Sequence, residues 1–189
     1  MAQGNVQKTV VAPKQKKTVD LNVTHEKFKE ALQEYVETNK DHADEEVIYT
    51  AHTFIDWLEK KTNIVKNEKT FTISAEQKEG IKRTKVAWID FGFNIADEFG
   101  GKHPAIIYRT SGNQVFVFPL TTQPPTERNK HLFVKVDYVK NFKKMDRWVN
   151  ILNLKCVSVQ RIDFTSGIGE VNGKVMGDLS AAWKRQGIR

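Results

Sequence analysis

A chain of 189 residues with 39% hydrophobic and 28% charged residues has room for one ordinary domain and an extension. No apolar run approaches the roughly 18 residues that span a bilayer, which excludes a bundle of membrane helices. A single cysteine, Cys156, excludes an internal disulfide framework and a thiolate metal cluster, which suits a reducing cytoplasm, and a net charge of +7 fits either a surface that keeps the protein soluble or a polyanionic partner.

Residues 1–20 carry Lys8, Lys14, Lys16 and Lys17, one proline and no hydrophobic period, the pattern of a mobile basic tail. They lack the apolar core of a secretory leader. Helical spacing then sets in. Phe28, Leu32, Tyr35 and Val36 recur at that spacing, and Val47, Ala51, Phe54, Ile55 and Leu58 repeat it after a break near Asn39–Asp41. Helices this short need a surface to pack on, so residues 21–69 are expected to form a helical hairpin extension. His25, His42 and His52 show no metal-ligand spacing on one face and are read as surface or packing residues.

From residue 70 onward the pattern becomes that of short strands. Val86, Trp88, Ile89 and Phe91 form the first, and Pro104–Tyr108 and Val115–Leu120 follow on either side of the turn signal Ser111-Gly112-Asn113. Leu132–Val139 and Val149–Val159 alternate apolar with polar residues and add further strands. Between them, Asn141–Arg147 interleaves Lys143, Lys144 and Arg147 with Phe142 and Met145. It reads either as a solvated loop or as a groove where phosphates meet cations and bases stack on an aromatic ring. Five or more short strands with one or two small helices make the class α+β, mainly β, with residues 70–189 an SH3-like, partly open barrel.

Charge separates along the same boundary. Residues 1–80 hold 12 lysines against 14 acids, whereas residues 81–189 hold 18 Lys and Arg against 9 acids. The positive excess lies on the strand-rich part, where a nucleic-acid backbone would release counterions on binding.

The polar residues of that part gather at two corners, Asp97, Glu98, Gly100, Gly101, Lys102 and His103 at one, and Thr121, Thr122 and Gln123 at the next. Consecutive antiparallel strands bring such corners to one rim. At these residues the chain resembles the MazF/PemK family of bacterial toxin endoribonucleases. The likeness runs through Trp88-Ile89-Asp90-Phe91, Glu98-Phe99-Gly100-Gly101-Lys102-His103-Pro104, Ala105-Ile106-Ile107 and Pro119-Leu120-Thr121-Thr122-Gln123. It continues through Gln160-Arg161-Ile162-Asp163, Ile168-Gly169 and a closing helix over Val175–Trp183, covering about residues 82–183. It departs in one place of consequence: His103 stands where the family usually has a catalytic arginine, and Asp97 stands where Ser or His is common.

The resemblance implies cleavage of single-stranded RNA, with the roles of the loop arginine and the strand-end threonine falling to His103 and Thr121. Glu98, Lys102, Thr122, Gln123, Lys155 and Arg161 are the expected RNA-binding or supporting residues. An imidazole with an ordinary pKa near 6.5 can take and give a proton at neutral pH, and a lysine replaces an arginine's charge without its two-pronged geometry. With no His-x-x-x-His pair, carboxylate cluster or cysteine pair in the sequence, neither a metal nor another cofactor is expected. The resemblance further implies a cognate antitoxin protein, a homodimer and no membrane attachment. The alternative is a catalytically silent relative that binds RNA or a protein partner.

Overall fold

The computed structural model describes residues 20–187. The basic tail expected over residues 1–20 therefore lies, apart from Asp20, outside the described residues. The chain falls into two compact units that divide between His52 and Thr53. In the first, helix α1 (Leu21–Asn39) opens on Asp20, whose carboxylate accepts hydrogen bonds from the amides of Asn22 at 2.9 Å and Val23 at 3.4 Å. After the expected break, helix α2 (Glu45–Lys66) starts with Glu45 and Glu46 in its first turn, where the helix dipole favours carboxylates. It runs across the boundary into the second unit. Among the described residues no helix is long and apolar enough to cross a membrane.

The second unit is a mixed α/β fold, a curled antiparallel half-barrel closed by a C-terminal helix, as expected. Helix α3 (Ala75–Gly80), which follows α2, has no apolar period to reveal it. It is set by a capping box in which the Ser74 hydroxyl accepts from the Gln77 amide while the Gln77 side chain accepts from the Ser74 amide. The strands are β1 (Lys85–Asp90), β2 (Lys102–Ser111), β3 (Gln114–Pro119), β4 (Phe133–Val136), β5 (Arg147–Asn150), β6 (Lys155–Ser158), β7 (Ile162–Asp163) and β8 (Gly169–Glu170), and helix α4 (Gly173–Arg185) follows. The larger sheet runs β6-β3-β2-β1-β7 with β8 also on β1, and β4 and β5 form a separate pair. The alternating stretch expected over Val149–Val159 is broken at Ile151–Asn153. There the Asn150 side chain accepts from the Leu152 amide and turns the chain from one sheet to the other.

Both faces of β1, β2 and β3 are buried, which is why Ala105-Ile106-Ile107 reads as a continuous apolar run instead of an alternating one. Val86, Ile106, Phe118 and Leu120 pack against the β4–β5 pair and against Val175, Met176, Leu179 and Ala182 of α4. Ala87, Ile89, Ala105, Ile107, Val115 and Val117 pack on the other side with Val157, Val159 and Ile162. Each fully buried aliphatic side chain of this kind contributes about 1.5–3 kcal/mol. The result is a rigid sheet whose strand ends are held in fixed register, and those ends carry the polar corners.

Within the same unit the second half of α2 lays Trp57 on the start of the loop after β1. A side chain at Gly92 would meet the Trp57 ring at 2.2 Å, and Gly92 has φ of +79°, so only glycine fits there. The Arg161 guanidinium lies 5.0 Å from the Trp57 ring centre and donates to the Phe91 carbonyl at 3.0 Å.

Candidate active site

The loop joining β1 to β2 is tied at its base. Phe91 N–H donates to the Gly101 carbonyl and Gly101 N–H to the Gly92 carbonyl, each at 2.8 Å, and the Asn94 side-chain amide reaches the Phe99 carbonyl at 2.6 Å. This places Phe99 edge-on to Phe91 and against the His103 ring, with centroids 5.3 and 4.7 Å apart. His103 itself is the second residue of β2, paired with Ile89. Its imidazole is half-buried and makes no hydrogen bond among the described residues, and burial pulls its pKa below the ordinary histidine value. It is therefore neutral at pH 7 and free to accept a proton.

Thr121 sits just past β3, where its backbone forms a two-bond bridge to Trp148, N–H to carbonyl at 3.0 Å one way and 2.8 Å the other. Its hydroxyl oxygen accepts from the Gln123 amide at 3.1 Å. An oxygen occupied as acceptor in this way keeps its own O–H for donation.

His103 and Thr121 line one cleft of about 760 Å³. Lys102, Thr122 and Gln123 line it too, so five of the eight residues expected from the sequence meet there. The other three stand elsewhere. Glu98 is an exposed loop residue outside the cleft lining. Lys155 lies on β6 opposite Val117, and Arg161 is engaged with Phe91 and Trp57 beside a second, smaller groove.

Lys102 does not offer a free charge. Its ammonium donates to the Asp163 carboxylate at 2.6 Å, and that carboxylate also accepts from the hydroxyls and amides of Thr165 and Ser166. The Lys102 hydrogen bond, then those of Thr165 and Ser166, hold the Asp163 pKa far below the usual carboxylate range. Lys102 thus fastens the start of β2 to β7.

The opposite wall is the loop between β4 and β5. Trp88 stacks on Phe142, with centroids 6.1 Å apart and planes at 15°, and the Arg147 guanidinium lies 5.8 Å from the Phe142 ring centre. Phe142 sits on a glycine: a side chain at Gly169 would come within 2.6 Å of its ring. Asn141, with φ of +66°, donates to the Ile168 carbonyl at 3.2 Å, and Lys140 and Glu170 bond backbone to backbone. The sequence shows this segment as basic and aromatic. What it does not show at first reading is that Arg147 is buried while Lys143 is exposed. The signal is the strand period, since Arg147 and buried Val149 fall on the same face of β5.

The family model for PemK-like, MazF-like toxins of type II toxin–antitoxin systems matches residues 82–186. Similar solved structures include an endoribonuclease in complex with its cognate antitoxin from a mycobacterial species, 19% identical, with 57% of this chain and 95% of that one covered and a TM-score of 0.41. MazF (Form-I) from Deinococcus radiodurans is 13% identical over 56% of this chain and 96% of its own, with a TM-score of 0.45. MazE-MazF (Form-II) from the same organism is 13% identical over 58% and 98%, with a TM-score of 0.42. Comparison with curated proteins gives no match.

Proposed function

Because the chain belongs to the PemK-like, MazF-like toxins of type II toxin–antitoxin systems, we propose that it is an endoribonuclease that cuts single-stranded RNA or mRNA without a metal ion. The observation that carries this reading is a neutral, half-buried imidazole and a donor hydroxyl sharing one cleft. In the reaction His103 takes the proton of a ribose 2′-hydroxyl, and the 2′-oxygen bonds to the adjacent phosphorus. The bond from phosphorus to the 5′-oxygen breaks with its electron pair on that oxygen, which takes a proton from water, and His103 returns its own proton to solvent. Thr121 donates to a non-bridging oxygen as charge builds there. The stacked Trp88 and Phe142 rings supply a face on which a base can lie.

The test is cleavage of a single-stranded RNA pool by purified protein in EDTA. The expected products end in a 2′,3′-cyclic phosphate or its 3′-phosphate. Activity that appears only with Mg²⁺ overturns the mechanism, and RNA bound but uncut in every condition supports a catalytically silent RNA-binding module.

An antitoxin partner, a homodimer and a cytoplasmic site of action belong to the same proposal. So does the division into a tail over 1–20, a helical extension over 21–69 and a barrel domain over 70–189. A variant beginning at Thr70 is expected to fold. It loses the buried Trp57, a change worth about 3–5 kcal/mol, so it melts well below one beginning at Thr53. An unfolded Thr70 variant would make α2 part of the barrel's core.

A further inference from the structure

Arg147 is the one buried charged residue among the described residues, 5% exposed, and it lines the cleft that holds His103 and Thr121. Its hydrogen bonds go to two neutral carbonyls, Lys143 O at 3.0 Å and Met145 O at 3.3 Å. Among the described residues no carboxylate pairs with it. Its neighbour Asp146 pairs with Lys135, and Asp163, which lies outside the cleft lining, pairs with Lys102. A guanidinium stays protonated even where burial lowers its pKa, as it does here, and a buried charge facing carbonyl dipoles and the Phe142 ring lacks a counter-ion. Next along β5, Trp148 is the residue whose backbone clasps Thr121, so the register that fixes the threonine also fixes Arg147 beside the same space.

We propose that Arg147 binds the backbone phosphate of the RNA in this cleft, supplying from the β4–β5 wall the forked positive group that the β1–β2 loop lacks with histidine at position 103. This rests on the reading of the cleft as an RNA site. A guanidinium matches two phosphate oxygens at once, which an ammonium cannot do, and with Lys102 bound to Asp163 it is the cleft's unpaired buried cation. Its bonds to Lys143 and Met145 hold the fork in place before the ligand arrives.

The test uses single-stranded 2′-O-methyl RNA, which cannot be cut, with either ordinary phosphodiesters or neutral methylphosphonates. Wild type is expected to prefer the charged strand by at least ten-fold. Arg147→Gln is expected to bind the charged strand about 10–100-fold more weakly, to bind the neutral strand as wild type does, and to show a slope of log K against log salt smaller by about 0.7, one phosphate contact. Arg147→Lys should fall between them, retaining the salt slope but not the full affinity. If Arg147→Gln loses both strands equally, the residue only fastens its loop and the proposal fails. If it binds both as wild type does while wild type still cleaves ordinary RNA, the proposal fails and the nuclease reading stands. If wild type itself binds neither strand, both are overturned.

Discussion

One wall of the cleft, carrying His103 and Thr121, is made of strand ends of the larger sheet, and the other is the loop between β4 and β5, carrying Phe142 and closed by Arg147 at the first position of β5. Strand ends inherit their positions from a sheet buried on both faces, so His103 is placed by its pairing with Ile89 and Thr121 by its bridge to Trp148. The loop has no ladder. It is held by Asn141 on Ile168, by Lys140 on Glu170, by Phe142 seated on Gly169 and by Arg147 bonded to its carbonyls. The difference predicts a division of labour, with proton transfer on the rigid wall and substrate holding on the pinned one.

The largest effect should come from the rigid wall. His103→Ala is expected to lower the single-turnover rate by about 10²–10⁴-fold, the usual worth of a positioned acid–base group, while RNA binding stays within a few-fold. Cleavage by that variant at the wild-type rate would remove chemistry from this wall altogether. A smaller and different effect should come from the loop wall. Gly169→Ala puts a methyl group 2.6 Å from the Phe142 ring and 2.7 Å from Val139. Overpacking of this kind costs about 1–3 kcal/mol. The variant should melt lower and bind RNA more weakly, yet cut bound RNA within a few-fold of wild type. Loss of the chemical step with binding intact would show that the two walls are not separate in function.

What could be read in the sequence follows the same line. The β1, β2 and β3 strands, the turn at Ser111-Gly112-Asn113 and the cleft residues His103 and Thr121 are legible because period, turn chemistry and motif order coincide there. Helix α3 escapes because its signal is a side-chain cap, and the β5–β6 break escapes because Asn150, the residue that caps it, also fits the alternating pattern of a strand. The roles of Lys102 and Arg147 were least legible. Both read as basic residues near a phosphate site, and only the fold shows one paired with Asp163 and the other buried without a counter-charge.

Burial holds the His103 pKa below the ordinary value near 6.5, so the folded protein resists protonation there while the unfolded chain does not. The stability tied to this histidine is complete above about 6.5 and is lost as pH falls through the lower folded value. Asp163 stays ionised across that range, since Lys102 and its neighbours keep its pKa far lower, and the start of β2 keeps its anchor. The most direct measurement is the single-turnover cleavage rate against pH for wild type and His103→Arg, with circular dichroism confirming the fold at each point. The account predicts a wild-type plateau near neutrality and an acid limb, below pH 6.5, that falls about ten-fold per unit and disappears in His103→Arg. A wild-type rate that is flat through this range, or the same limb in His103→Arg, would contradict proton transfer by His103.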